Sequence, residues 1–420
     1  MTVDLIVYNI NELVTLDGGV RTKDEMKDAK IINNGYFCVT NQKFTHIGEG
    51  DYPTELVGDN TEIVDAKGLL ITPGLVDPHT HLVHGGSREH ELKQKLEGVP
   101  YLDILAAGGG ILSTVRSTRS SSKEELYQKA LNSMNIMLGF GVTTVEAKSG
   151  YGLSLEEELK QLEVAKELND NHPIDLVSTF MGAHAIPTEY KENPEKYIEL
   201  VFAMLEDERI KELSEFADIF CEDMVFNPTQ SKKILLRAKE LGYGVKIHAD
   251  EIVSLGGAEL AAEIACVSAD HLMAASDEGI TDLAKSGVVA NILPATSFNL
   301  NKNYANARKM LEEGCIVSLS TDYNPGSSPT ENMQFVMTLG STKLRMTPDE
   351  VIASVTINAA KAINRDDKVG SIEIGKQADF VIFNATNLPY IMYHFGINHV
   401  KDVYKNGRIV INNQRSVEDK

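Results

Sequence analysis

A histidine pair suited to metal binding lies in the segment Asp77-Pro78-His79-Thr80-His81. Alternate residues of a β-strand point to the same side, so a strand that ends here aims His79 and His81 in one direction. Two neutral imidazoles on one face are suitable ligands for zinc or iron. A bare His-x-His pair is also compatible with an ordinary loop, and only its context separates the two interpretations.

Further metal-binding and acid–base side chains follow later apolar segments. His248 and Glu251 end one such segment, His271 ends the next, and Asp322 follows Ser320-Thr321 in a third. Each of these residues taken by itself is compatible with burial as an ordinary core residue. Their repeated occurrence at the ends of predicted strands instead favours one shared site.

These segments belong to a regular alternation that begins after Pro73, where short apolar runs alternate with helical stretches. Near-continuous apolar runs are typical of parallel strands that are buried on both faces. Eight βα units predict a (β/α)₈ TIM-type barrel, in which the C-terminal strand ends form the active-site mouth. The predicted strands are Gly74–His81, Thr143–Ala147, Asp175–Met181, Asp218–Cys221, Gly244–His248, Cys266–His271, Gly287–Leu293 and Ile316–Asp322.

The two ends of the chain show a different, β-rich pattern. Short alternating segments precede residue 70, and SIEIGKQADFVIFN and VKDVYKNGRIVI follow residue 367, with Asn406-Gly407 as a strong hairpin signal. We predict an α/β protein with a barrel over residues 71–366 and a small β-sandwich domain built from residues 1–70 and 367–420. Capping boxes are predicted for helices that begin after Ser122, Ser154 and Thr347.

Composition limits the function classes. The 420 residues carry a formal net charge of -21, which argues against nucleic acid and requires a local cation wherever an anionic substrate binds. The four cysteines form no CxxC pair, which favours reduced thiols. The N-terminal segment lacks a basic region, and no apolar run reaches the roughly 18 residues needed to cross a bilayer. We therefore expect a soluble, cytoplasmic protein with no membrane partner.

The segments PGLVDPHTH, the later histidines and STD resemble the amidohydrolase superfamily over nearly the whole chain, including the closing GSIEIGKQADFVIF. Six further segments resemble the members that hydrolyse the cyclic amide of 4-imidazolone-5-propanoate to N-formimidoyl-L-glutamate in histidine degradation. They are HLVHGGSREHE, AAGGGILSTVRSTR, EAKSGYGL, MGAHAIP, HADE and STDYNPGSSP. The resemblance also implies a homodimer.

The resemblance implies one metal ion per subunit, zinc or iron, held by His79, His81, His248 and Asp322. Two-metal members have a carboxylated lysine or a substitute acid on strand four. This strand has no lysine, although Glu222 is a candidate bridge to a second ion. Lys148 on strand two is interpreted as an ion partner that lines the barrel.

The implied mechanism uses hydroxide on the metal, because a bound divalent ion lowers the pKa of its water to roughly 7. Glu251 is the expected proton shuttle, His271 the group that stabilises the carbonyl oxygen, and Asp322 an additional aid to proton transfer. Strand parity aims Glu251 away from His248, so its place in the site depends on a turn. Arg88 is the expected partner of the substrate carboxylate. The expected substrate contacts are Arg88, Tyr101, Tyr151, His184, Glu251, Asn324, Gly326 and Ser327.

Two alternatives stay open at this point. A deaminase of a cyclic amidine or nucleobase-like ring would use the same metal, His-x-x-Glu and strand-six histidine, but would release ammonia. A non-catalytic binding protein would keep the metal ligands without needing a proton shuttle. The long segment from Leu82 to Leu138 is compatible with either a lid or an additional helical layer.

Overall fold

The computed structural model describes residues 2–99 and 108–413, and their strands form two separate sheets. In these ranges the strands, in chain order, are β1 (Leu5–Val14), β2 (Ile31–Thr40), β3 (Lys43–Glu49), β4 (Glu62–Pro73), β5 (Leu75–Asp77), β6 (Val142–Lys148), β7 (Asp175–Ala183), β8 (Phe216–Cys221), β9 (Gly244–Ala249), β10 (Ser268–His271), β11 (Val289–Ile292), β12 (Ile316–Leu319), β13 (Phe380–Phe383), β14 (Val400–Lys405) and β15 (Arg408–Asn412).

Strands β5 to β12 form an eight-stranded sheet in sequential order, and every neighbouring pair is parallel. Its first and last strands meet just beyond their C-terminal ends. There the Asp77 carboxylate accepts hydrogen bonds from the Thr321 amide and hydroxyl, and the His81 amide donates to the Tyr323 carbonyl oxygen at 2.8 Å. The sheet is a nearly closed barrel, and the predicted fold class is confirmed.

The β-rich ends of the chain form one seven-stranded sheet in the order β15-β14-β13-β4-β1-β2-β3. Phe37, Phe44, Phe380 and Tyr404 pack in its apolar core. Strands β14 and β15 are joined at Asn406 and Gly407, which both have positive φ, as a tight hairpin turn requires. The predicted hairpin is confirmed, while the exact domain boundaries at residues 70 and 367 stay a prediction.

Helices connect the barrel strands and cover their outer side. The α-helices described are Leu92–Leu96, Ile111–Ser120, Lys123–Gly139, Leu155–Asn171, Pro194–Glu206, Glu208–Leu213, Pro228–Glu240, Gly257–Ile264, Asp277–Ser286, Pro294–Leu300, Ala307–Glu313, Met333–Thr342, Pro348–Ser354, Ile357–Lys361 and Leu388–Tyr393. The 3₁₀ helices are Lys23–Lys27, Thr54–Leu56, Glu89–Glu91 and Thr188–Tyr190. Across the described ranges, none of these helices combines the length and apolar character that a membrane span requires.

Two of the three predicted capping boxes are present, at Ser122 and Thr347. The third, at Ser154, is wrong, because the Ser154 side chain makes no cap hydrogen bond. The buried carboxylate of Glu158 instead accepts hydrogen bonds from the amides of Gly150, Gly152 and Leu153 and so holds the turn before this helix.

Candidate active site and metal centre

Four ligand-type side chains converge at the barrel mouth. Atoms of His79, His81 and His248 that can bind a metal lie within 4.8 Å of one another, and the Nε2 atoms of His81 and His248 are 3.4 Å apart. Asp322 Oδ1 lies 3.5 Å from His79 Nε2 and 3.8 Å from His81 Nε2. All four side chains are buried. The predicted ligand set therefore comes together in space.

The backbone explains how these side chains reach one point. Strand β5 ends at Asp77, earlier than predicted, because Pro78 has no amide for the strand pairing and the chain leaves the sheet there. Both histidines thus project from the segment after the strand. Asp322 has φ 54°, an uncommon conformation that turns its side chain into the mouth, and Thr296 donates a hydrogen bond to its Oδ2.

The chemistry of this set fits a single metal ion. Burial, aided by nearby positive charge, holds the pKa of His79 and His81 well below the usual value, so both imidazoles are neutral, as metal ligands must be. In the described part of the chain, the buried His79 Nε2 atom has no hydrogen-bond partner. A divalent cation would satisfy this lone pair.

The position next to this set is already taken by a lysine. The Lys148 ammonium lies 2.7 Å from Asp218, 2.9 Å from Glu146 and 3.6 Å from Asp270. Burial by itself lowers the pKa of Lys148, but these carboxylates outweigh burial and raise the pKa above its usual value. Lys148 is therefore an internal ion partner, as the sequence indicated.

Glu222, the candidate bridge to a second ion, is engaged elsewhere. Its two carboxylate oxygens accept hydrogen bonds from the Asp223 and Ile252 amides. It also belongs to none of the metal-type clusters found among the described residues. This arrangement favours a single-metal centre.

Glu251, the predicted proton shuttle, and His271, the predicted stabiliser of the carbonyl oxygen, lie at the same mouth. Glu251 Oε2 is 3.8 Å from His271 Nε2, and the His271 ring is 5.0 Å from that of His248. The inward turn comes from Asp250, which has φ 50° and whose carboxylate accepts three backbone hydrogen bonds. Burial raises the pKa of Glu251 to about 8, and the negative charges of Asp322 and Glu222 add to the shift. A carboxyl group with such a pKa can hold and release a proton near neutral pH.

Arg88 lies at the rim, with its side chain only 10% exposed. Its Nε and Nη2 atoms donate to the two carboxylate oxygens of Glu91 at 3.0 and 2.9 Å. Its third nitrogen, Nη1, faces Gly326, where an added methyl group would lie only 2.0 Å away. The guanidinium is thus fixed along one edge, and glycine is the residue that leaves room for it at position 326.

Tyr151 and His184 pack against the histidine cluster. The His184 ring stacks on His81 at 4.6 Å, and the Tyr151 ring lies 5.1 Å from His184. Gly150 has φ 110°, and a methyl group there would collide with His184 at 2.8 Å. Tyr101, the remaining aromatic residue predicted to contact the substrate, lies outside the described residues.

The polar turn after β12 holds its own shape. The Asn324 amide group donates to the Asp322 carbonyl oxygen and to Ser327 Oγ, and its oxygen accepts from the Gly326 and Ser327 amides. Ser327 Oγ lies 3.4 Å from Asp322 Oδ2. The turn therefore carries Gly326 and Ser327 beside the proposed ligand set, and the roles of Asn324, Gly326 and Ser327 as substrate contacts stay a prediction.

Sequence reasoning missed a layer of buried charges beneath the ligands. Asp270 Oδ2 contacts His79 Nδ1 at 2.7 Å, and Asp218 Oδ2 lies 3.1 Å from His248 Nδ1. Lys246 pairs with Glu146 at 2.8 Å. The alternation of side chains along a strand could have revealed this layer, because residues two apart point to the same face. Glu146 and Lys148 therefore share one face of their strand, and Lys246 and His248 share one face of theirs.

Comparison with known proteins gives the family. The model of the amidohydrolase family matches residues 70–410. Imidazolonepropionase of Fusobacterium nucleatum is 58% identical over 411 residues, covering 98% of this chain and 99% of the relative. The same-named proteins of Alkaliphilus metalliredigens and Streptococcus pyogenes are 54% and 52% identical, each covering 99% of this chain and all of the relative.

Solved structures agree at the level of the fold. An adenosine deaminase from Xanthomonas campestris with bound zinc has a TM-score of 0.69 at 18% identity, covering 99% of this chain and 95% of its own. Guanine deaminase of E. coli has a TM-score of 0.68 at 16% identity, covering 97% and 99%. The chain therefore belongs to the amidohydrolase family and, within it, to the imidazolonepropionases.

Proposed function

We propose that the protein hydrolyses the ring carbon–nitrogen bond of 4-imidazolone-5-propanoate to N-formimidoyl-L-glutamate, a step of histidine degradation. The observation that carries the proposal is the convergence of His79, His81, His248 and Asp322 beside Glu251, in a chain 52–58% identical to imidazolonepropionases over nearly its whole length. The deaminases of similar fold are 16–18% identical and support the architecture only.

His79, His81, His248 and Asp322 would hold one metal ion, zinc or iron. When bound, such an ion activates water at neutral pH and polarises a carbonyl group. The remaining steps belong to the chain's own side chains. The attacking water forms a bond to the ring carbonyl carbon, and Glu251 accepts the proton that the water loses. His271 stabilises the charge that develops on the carbonyl oxygen.

Ring opening then completes the reaction. The bond between the carbonyl carbon and the ring nitrogen breaks, and Glu251 delivers its proton to that nitrogen. The carbonyl carbon becomes a carboxylic acid, which releases the second proton of the water to solvent. The nitrogen remains in the formimidoyl group, so no ammonia leaves. Asp322 assists the proton transfer from its position 3.5 Å from His79.

Arg88 is the proposed partner of the propionate group. On a chain with a net charge of -21, an anionic substrate needs a fixed cation at the site. Glu91 fixes one edge of the guanidinium, which orients Nη1 toward the Gly326 turn. The other proposed substrate contacts are Tyr101, Tyr151, His184, Glu251, Asn324, Gly326 and Ser327. The proposal also includes a homodimer in the cytoplasm.

The test is incubation of metal-replete protein with 4-imidazolone-5-propanoate. We expect N-formimidoyl-L-glutamate without free ammonia, whereas ammonia release would indicate a deaminase. Glu251→Gln should lower kcat by about 10²- to 10⁴-fold, the range typical of general acid–base catalysis. Glu263→Gln, at an exposed carboxylate paired with Lys232, is the matched control and should leave kcat unchanged. Full turnover by Glu251→Gln would remove Glu251 from the mechanism.

A further inference from the structure

Two buried carboxylates contact the proposed metal-ligand histidines on the side away from the metal position, and neither carboxylate has a role in the mechanism proposed above. Asp270, on β10, contacts the Nδ1 atom of His79 at 2.7 Å. Asp218, on β8, lies 3.1 Å from the Nδ1 atom of His248. In both cases the contact is to the ring nitrogen opposite Nε2, the nitrogen that faces the proposed metal position. Both carboxylates are fully buried.

A single lysine connects the two carboxylates. Lys148 Nζ lies 2.7 Å from Asp218 Oδ2 and 3.6 Å from Asp270 Oδ2. Its third partner, Glu146, is shared with Lys246 at 2.8 Å. Three carboxylates thus face two ammonium groups in a region closed to water. Such burial is unfavourable for a purely structural core, because a buried ionic network is often no more stable than apolar side chains of the same volume.

The geometry has a direct chemical consequence for the ligands. A carboxylate at Nδ1 requires the proton of a neutral imidazole to be on that nitrogen, which leaves the Nε2 lone pair free for a metal. The carboxylate also makes the ring more basic and fixes its orientation. The buried position of Lys148 between both carboxylates fixes their orientation in turn.

We infer that Asp218 and Asp270 are positioning residues, held by Lys148, that set the tautomer and direction of His248 and His79 for metal binding. This inference rests on the proposed metal site, and it assigns these residues no contact with the substrate. Asp270 has the larger effect, because its contact has the geometry of a hydrogen bond, whereas the Asp218 contact is close but less well aligned.

The test measures metal affinity rather than turnover. Asp270→Asn and Asp218→Asn keep the side-chain volume and remove the charge. We expect each to weaken metal binding by about 10- to 100-fold, the range found for such outer partners, with the larger loss for Asp270→Asn. Apparent Kd is obtained by competition with a chelator, with metal content measured in the full-length protein, and the absorption spectrum of the Co²⁺ form reports changes in ligand geometry.

Glu146→Gln is the matched control. It removes an equally buried carboxylate from the same network, but Glu146 contacts lysines and Thr179 rather than a histidine. We expect its metal affinity to stay within about threefold of wild type, because no ligand loses its outer partner. Wild-type affinity and an unchanged Co²⁺ spectrum in both Asp→Asn variants would overturn the inference, as would an equal loss in Glu146→Gln.

Two further measurements cover the remaining outcomes. If the Asp→Asn variants do not fold, spectra of wild-type protein labelled with ¹⁵N-histidine decide: a proton on Nδ1 of both His79 and His248 supports the inference, and a proton on Nε2 of both overturns it. His79→Ala separates this inference from the proposed function. If His79→Ala binds metal as well as wild type, the metal site itself is wrong. If it loses metal while the Asp→Asn variants do not, only the present inference fails.

Discussion

A methyl group at position 326 should damage substrate binding without damaging the fold. The Cβ of Gly326→Ala would lie 2.0 Å from Arg88 Nη1, and ordinary contact begins at 3.4 Å, so the guanidinium must retreat by about 1.4 Å. Arg88 is the far end of a flexible side chain, and Gly326 has no positive φ, so the backbone tolerates alanine. However, the two bonds to Glu91 oppose the retreat, and Nη1 leaves its place beside the turn.

A retreat of this size exceeds what the proposed hydrogen bond to the propionate can absorb. A hydrogen bond to a charged group is worth about 1.5–3 kcal/mol, so its loss lowers kcat/KM by about 10- to 150-fold. The loss should appear mainly in KM, because the carboxylate is held equally in the ground state and in the transition state. The assay is steady-state loss of the imidazolone ring's ultraviolet absorbance, with the midpoint of thermal unfolding as a check on folding.

The control is Gly139→Ala, because an added methyl group there meets nothing within 4 Å and φ is not positive. It should leave the kinetics unchanged. A ring substrate without the propionate should be turned over equally by Gly326→Ala and wild type. The reasoning is refuted if Gly326→Ala keeps wild-type kcat/KM, or if it loses activity equally on the substrate without a carboxylate.

Three further predictions follow from other contacts. Glu91→Gln removes the negative charge that holds the Arg88 guanidinium, so in steady-state kinetics KM should rise severalfold while kcat stays near wild type. An unchanged KM would show that Glu91 does not position Arg88 for substrate binding. Lys405→Met removes the ammonium group that lies 2.5 Å from buried Asp379 and 2.6 Å from Asp175. Urea unfolding should show a free energy of unfolding lower by about 3–5 kcal/mol, because Asp379 is left as an unpaired buried charge. An unchanged urea midpoint would contradict this prediction. Chelation of the metal should abolish ring opening and lower the temperature midpoint of unfolding. Zinc re-added at 100 times its Kd should raise the free energy of unfolding by about 2.7 kcal/mol. Thermal unfolding curves that do not respond to zinc would argue against the proposed metal site.

The fold could be predicted from the sequence because the patterns that specify it lie within short segments of the chain. Buried parallel strands are apolar along their length, and Asn406-Gly407 specifies a tight hairpin by its own conformational preference. The failure at Ser154 has the opposite cause. The amides of that turn are satisfied by Glu158, a residue in the following helix, and propensity at one position cannot reveal such competition.

The convergence of the proposed ligands was predictable from the sequence, but the residues that support them were not. His79, His81 and Asp322 follow strands, and His248 lies near the C-terminal end of β9, so topology alone places them at one mouth. The ion pair between Arg88 and Glu91 was not predicted. Whether the Arg88 guanidinium contacts a substrate or Glu91 depends on side-chain geometry at one short 3₁₀ helix. The pairing of Asp270 with His79 joins residues 191 apart, and no local pattern encodes it.

The joint between the first and last barrel strands has a consequence for biosynthesis. Asp77 and Thr321 are 244 residues apart, and the proposed ligands His79 and Asp322 lie immediately beyond them. The same contact that seals the ring also delivers the final carboxylate to the imidazoles. A nascent chain on the ribosome therefore has no complete coordination sphere until its eighth strand has emerged and docked. We therefore expect tight metal binding by the complete set of proposed ligands only late in folding, after this joint has formed.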